Sequence, residues 1–210
     1  MKFIKILTIL STLFFASFSQ AKEVRGFYVG AGVGSTGIDD MDDYFEGSDS
    51  LFRIDEDGNS YKLIAGYQFN RVIALEAQYT KYGDINFQVP LLQNKTVHHW
   101  SPEALSIAAN AGYTFNNGLR PFGILGLSMI DLNESKKVLD KETYVALRYG
   151  LGLEYTPLAL SNLNFRIGYE ADFFYADEDY TYHGAYSDYT LSELYDFTLD
   201  SFYISVSYQF

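Results

Sequence analysis

Eight segments of this chain alternate apolar residues with small or polar ones at a period of two, and none past residue 21 is long and apolar enough for a membrane-spanning helix. Side chains alternate across a strand, so such a segment has one apolar and one polar face. The last segment shows it most clearly. Phe202, Ile204, Val206, Tyr208 and Phe210 share one face, and Tyr203, Ser205, Ser207 and Gln209 share the other. The same alternation runs through 25–34, 60–69, 71–82, 104–115, 143–155 and 163–174. The segment 120–130 is less regular, because Phe122, Gly123, Ile124, Leu125, Gly126 and Leu127 are apolar on both faces. Each segment has about the length a tilted strand needs to cross a bilayer.

The connections alternate as well. Asn70-Arg71, Asn116-Asn117-Gly118 and the stretch 157–162 are short and turn-like. Between them, 35–59, 83–103, 131–142 and 175–198 read as long polar loops. Short turns at one end and long loops at the other are the pattern of periplasmic and extracellular connections. Hydrocarbon offers no hydrogen-bond partner to an open sheet edge, so the strands must close. The expected fold is all-β, an eight-stranded antiparallel transmembrane up-and-down β-barrel, with both chain ends periplasmic.

Composition narrows the function. The formal net charge of -12 disfavours nucleic acid as a partner. Nineteen Tyr and 17 Phe suit aromatic girdles at two membrane interfaces. The absence of Cys removes disulfides and thiolate chemistry. At the start, Lys2 and Lys5 precede an apolar run over 6–18, and Ser19-Gln20-Ala21 fits a small-x-small cleavage site. A signal peptide over 1–21, cleaved, and a barrel domain over 22–210 are therefore expected.

The polar faces carry Lys62, Arg148 and Arg166 together with Glu76, Glu154, Glu170 and Asp172. An eight-stranded interior is about wide enough for side chains to fill it. Isolated ions there are costly, so these groups are expected to pair. The pairs form either a plug that can gate, or a self-satisfied polar core that conducts nothing; the second is the expectation. Many glycines share these faces, among them Gly66, Gly112, Gly152 and Gly168.

The carboxyl end Phe202-x-Ile204-x-Val206-x-Tyr208-x-Phe210 and the run Gly30-Ala31-Gly32-Val33-Gly34 resemble those of OmpA/OmpX-type outer-membrane barrels, specifically the stand-alone members. The resemblance implies residence in the outer membrane of a Gram-negative bacterium. It implies that Phe202, Ile204, Val206, Tyr208 and Phe210 form an assembly signal read by the barrel assembly machinery. It implies contact with outer-membrane lipid and lipopolysaccharide, and a monomer. The sequence ends at Phe210 without a periplasmic domain, so cell-wall anchoring is not implied.

Other motifs are weaker. The loop 35–59 is rich in acid, and Asp55-Glu56-Asp57-Gly58-Asn59 superficially resembles a calcium loop. Its Gly is misplaced and it lacks a closing Glu, so a solvated loop is expected. His98, His99 and His183 lie in different loops and imply no metal site. His99-Trp100-Ser101, with Glu103 or Glu134, resembles the His-x-Ser pair of lipid A deacylase barrels only in outline. The tyrosine-rich stretch 175–198 suits contact with a host or cell-surface ligand. The leading expectation is a non-enzymatic structural or surface-interaction barrel without cofactor. A narrow porin-like channel for ions or small solutes is the first alternative, and a lipid A-modifying hydrolase the second.

Overall fold

The computed structural model describes residues 25–40, 53–89, 95–135, 143–183 and 188–210. Eight strands close into an antiparallel barrel. They are β1 (Gly26–Gly34), β4 (Ser60–Gln68), β5 (Ile73–Lys81), β8 (Glu103–Gly112), β9 (Leu119–Asp131), β10 (Thr143–Tyr155), β11 (Leu163–His183) and β12 (Asp188–Gln209). Each pairs with the next in that order, and β12 pairs with β1. At the seam Val29 faces Tyr208, Ala31 faces Val206 and Val33 faces Ile204. No helix among the described residues is long and apolar enough to cross a membrane, so the crossing is made by strands.

The barrel is inside-out relative to a water-soluble protein. Phe27, Ile107, Leu151 and Phe202 stand 63–67% exposed on its outer surface, while Glu76, Asn110, Arg148 and Glu170 are fully buried within. Only lipid makes that partition favourable: the outer band then meets hydrocarbon, and the charged interior is screened from it. The irregular segment obeys the same parity. In β9, Phe122 and Ile124 point inward and Leu125, Leu127 and Met129 outward.

Short connections are set by local chemistry. Asn70 Oδ1 accepts hydrogen bonds from the amides of Val72 (2.7 Å) and Ile73 (3.0 Å), which tightens the β4–β5 turn. Gly118 takes φ +85° in the β8–β9 turn, a conformation that favours glycine. Between β10 and β11 a single 3₁₀ turn spans Leu158–Leu160.

The stretches expected as long loops contain further strands. β2 (Gly37–Asp40) follows β1 and pairs with β12 above the seam. β3 (Arg53–Asp57), β6 (Asp84–Val89) and β7 (Lys95–Trp100) form a separate sheet in the order β3-β6-β7. β11 and β12 continue together up to the pair His183–Asp188. The ladders outrun the bilayer because paired backbone remains favourable in water once one face is buried. Ile85, Phe87 and Trp100 provide that face. Their alternation extends over too few residues, among too many polar ones, to be read from sequence as strand.

The topology predicts a protease result. Proteinase K added to intact cells should cut between β2 and β3 and between β11 and β12, and should spare Asn70-Arg71. Cleavage at Asn70-Arg71 would mean that the short turns face outward.

Candidate functional site

The lumen holds one continuous polar network, ordered along the barrel axis. At the periplasmic end Arg120 Nη1 contacts Glu154 Oε2 at 2.9 Å. Glu154 Oε1 contacts Arg166 Nη2 at 2.6 Å. Arg166 then grips Glu76 with both terminal nitrogens, at 3.0 and 2.6 Å. Two-point guanidinium–carboxylate contact is the strongest and most directional form of ion pair. Tyr28 and Asn110 donate to the same Glu76, each at 2.6 Å.

Gln78 links this level to the next. Its Nε2 donates to Glu76 at 2.9 Å and to Glu170 at 3.4 Å. Lys62 Nζ meets Glu170 Oε2 at 3.2 Å, with both side chains fully buried. The Lys62 ammonium also lies 4.8 Å from the Tyr203 ring centroid. Uppermost, Arg148 holds Asp172 through Nε at 3.0 Å and Nη2 at 2.9 Å. Its remaining donors reach Thr80, Gln78 and Ser106. Tyr82 and Ser128 each donate to Asp172 at 2.6 Å.

The structure thus places Lys62, Glu76, Arg148, Glu154, Arg166, Glu170 and Asp172 on the luminal face and joins each to an oppositely charged partner. Sequence reasoning missed Arg120, which is 4% exposed and pairs with Glu154. With it, the described lumen holds four cations and four carboxylates. The inward parity of β9 was the available signal, but a segment apolar on both faces obscured it. Aromatic contacts were missed as well: the Arg166 guanidinium stacks 4.7 Å from the Phe122 ring centroid. Glycines supply the clearance. A Cβ on Gly168 would lie 3.0 Å from the Tyr203 ring, and one on Gly112 3.0 Å from Arg120 Cζ.

Above the ions lies an apolar cap. Tyr82, Ile85, Phe87, Trp100, Ile130, Leu132, Tyr144, Phe174, Phe197 and Leu199 form one buried cluster at the extracellular end. Trp100 packs edge-on against Phe87 (4.9 Å between ring centroids) and Phe197 (5.8 Å). The cap bridges the three-stranded sheet and the barrel wall.

The remaining candidates sit apart from the lumen. Trp100 Nε1 donates to His98 Nε2 at 2.8 Å, and Ser101 Oγ donates to Asp84. The Ser101 hydroxyl is therefore directed at a carboxylate rather than at His99. Asp55 accepts from Gln88 at 3.1 Å, and Glu56 accepts from the Ile38 amide at 3.0 Å. Among the described residues no three His or acidic side chains converge as metal ligands. The His183 side chain, most of the acidic run 39–57 and the tyrosines at 180–189 lie outside the described side chains. The carboxyl-terminal apolar residues Phe202, Ile204, Val206, Tyr208 and Phe210 all face outward.

A closed eight-stranded sheet, apolar outside and charged inside, with short turns at one end, is an outer-membrane β-barrel. The family model described as outer membrane protein beta-barrel domain matches residues 6–210, and the chain belongs to that family. The protein accordingly resides in the outer membrane of a Gram-negative bacterium. No curated protein sequence matches the chain. Solved structures share the fold at low identity. The crystal structure of Neisserial surface protein A is 15% identical, with a TM-score of 0.59, covering 88% of this chain and 97% of that one. OprG of Pseudomonas aeruginosa is 12% identical, also at TM-score 0.59, covering 90% and 98%. Ail, the attachment invasion locus protein of Yersinia pestis, is 16% identical at TM-score 0.52, covering 89% and 100%.

Proposed function

We propose that this protein is a monomeric, non-enzymatic barrel with a lumen sealed by ion pairs, whose extracellular strands engage a host or cell-surface ligand. The observation that carries the sealed lumen is the unbroken network from Arg120 to Tyr82, closed above by the aromatic cap. Buried ion pairs of matched charge hold each other, because separating one strands an ion in a confined space. The surface role is supported by the extent of β structure beyond the barrel, where β11 and β12 pair as far as His183–Asp188. Against the lipid A-modifying hydrolase reading stands Ser101, whose hydroxyl is directed at Asp84. Residues 1–21 are proposed to direct export and to be removed. The outward carboxyl-terminal residues are proposed as the signal read by the barrel assembly machinery, with lipid and lipopolysaccharide around the folded barrel.

Single-channel recording of the purified barrel tests the seal. The wild-type protein should show no steady conductance at low voltage. Arg148→Ala combined with Arg166→Ala should leak, because it opens volume and strands Asp172 and Glu76. A stable open state in the wild type would make the protein a narrow channel for ions or small solutes. Deletion of the gene, scored for adhesion, tests the surface role; unchanged attachment to every host surface tried would remove it.

A further inference from the structure

The periplasmic mouth has a feature that the luminal seal does not use. The turns there ring an open basin of about 370 Å³. Arg25, Arg71 and Thr114 line its polar side; Phe115, Leu158 and Phe210 line its apolar side. A narrower recess of about 30 Å³ continues toward the lumen, shares Thr114 with the basin, and reaches Arg120 and Asn164.

Polar atoms are left unsatisfied here. Arg71 Nε, Thr114 Oγ1, Arg120 Nε and Asn164 Oδ1 are buried and have no hydrogen-bond partner among the described residues. Leaving buried polar groups unpaired is unfavourable, so such a cluster points to a partner from outside the chain. Three of the four atoms can donate. Arg120 is nine-tenths buried or more, and its other nitrogens are already taken by Glu154 and the Val72 carbonyl. Arg25 Nε donates to the Tyr67 hydroxyl at 3.0 Å, which fixes that side chain beside the basin.

The charge is also distinctive. No Asp or Glu lines the basin among the described residues, although the chain as a whole carries a net charge of -12. Glu154 lies deeper, in the recess, where it is held by both Arg120 and Arg166. Apart from the terminal carboxylate on Phe210, the basin is therefore lined by cationic and neutral groups in an acidic protein, with an apolar wall opposite.

We propose that this basin binds a phosphate group. A guanidinium fork matches phosphate oxygens in geometry and charge. The phosphate comes either from the headgroup of an anionic phospholipid in the periplasmic leaflet or from a soluble phosphate compound. Phe115, Leu158 and Phe210 suit the first source, since they meet the apolar part of a molecule whose anion faces Arg71.

The test uses the folded full-length barrel in nanodiscs of zwitterionic lipid, titrated with inorganic phosphate at low salt and followed by calorimetry. Saturable binding is expected. Arg71→Gln should weaken it about tenfold, the loss of one charge-assisted contact. Arg71→Lys should restore part of the affinity. Lys81→Gln, which removes an exposed cation at the opposite end of the barrel, should leave binding unchanged. A second set of discs containing phosphatidylglycerol separates the sources. Arg71-dependent competition with inorganic phosphate identifies the lipid headgroup; undiminished phosphate binding identifies a soluble ligand. Heat-modified gel mobility checks that each variant is folded. If neither probe binds in a way that depends on Arg71, or if Lys81→Gln weakens binding as much as Arg71→Gln, the proposal is wrong.

Discussion

Arg148→Ala is expected to destabilise the folded barrel by about 3–5 kcal/mol, the range for breaking a fully buried ion pair by removing one partner. Arg148 and Asp172 are both fully buried. Without the guanidinium, Asp172 keeps only the neutral donors Tyr82 and Ser128. Thr80, Gln78 and Ser106 lose a partner at the same time. The size of the effect lies in the uncompensated carboxylate, not in the net worth of the pair. The double variant Arg148→Met with Asp172→Leu removes both charges and should recover part of the lost stability, the remainder being the cost of leaving the Tyr82 and Ser128 hydroxyls without their acceptor. Urea unfolding followed by fluorescence measures both, and Trp100 is the sole tryptophan of the chain. It sits in the cap beside Phe87 and Phe197, so its emission should report loss of the extracellular packing. A single variant as stable as wild type would show that water reaches Asp172 and that the lumen is not sealed at that level.

Phe210→Ala is expected to reduce the folded fraction in cells severalfold while leaving the stability of the purified barrel nearly unchanged. The ring stands 72% exposed on the outer surface and touches the barrel mainly through Tyr208, 5.2 Å away between centroids. Its truncation removes little packing. The backbone contribution survives, because the Phe210 amide donates to the Phe27 carbonyl at 2.9 Å whatever the side chain. A large loss in cells beside a small loss in vitro would therefore report recognition during assembly. Heat-modified gel mobility gives the folded fraction, and refolding into detergent gives the intrinsic stability. An unchanged folded fraction in cells would remove the assembly-signal argument; equal losses in both would assign Phe210 a packing role.

The sequence by itself determined the number of barrel strands, their parity and the ends at which the turns lie. Those properties follow from a period of two and from the refusal of hydrocarbon to accept an unpaired edge. Parity also placed Lys62, Glu76, Arg148, Glu154, Arg166, Glu170 and Asp172 on one face of their strands. It said nothing of height along the barrel axis. Pairs between neighbouring strands, such as Arg148 opposite Asp172 and Glu154 opposite Arg166, needed only the ladder register. Pairs across the lumen, Lys62 with Glu170 and Arg166 with Glu76, depend on the tilt and stagger at which eight strands close. Those are properties of the whole sheet and leave no mark on any single segment. The aromatic cap is of the same kind. Ile85, Phe87, Trp100 and Leu132 come from stretches that read as polar loop, and they become a core only because the strands continue past the membrane and bring their few apolar residues over one opening.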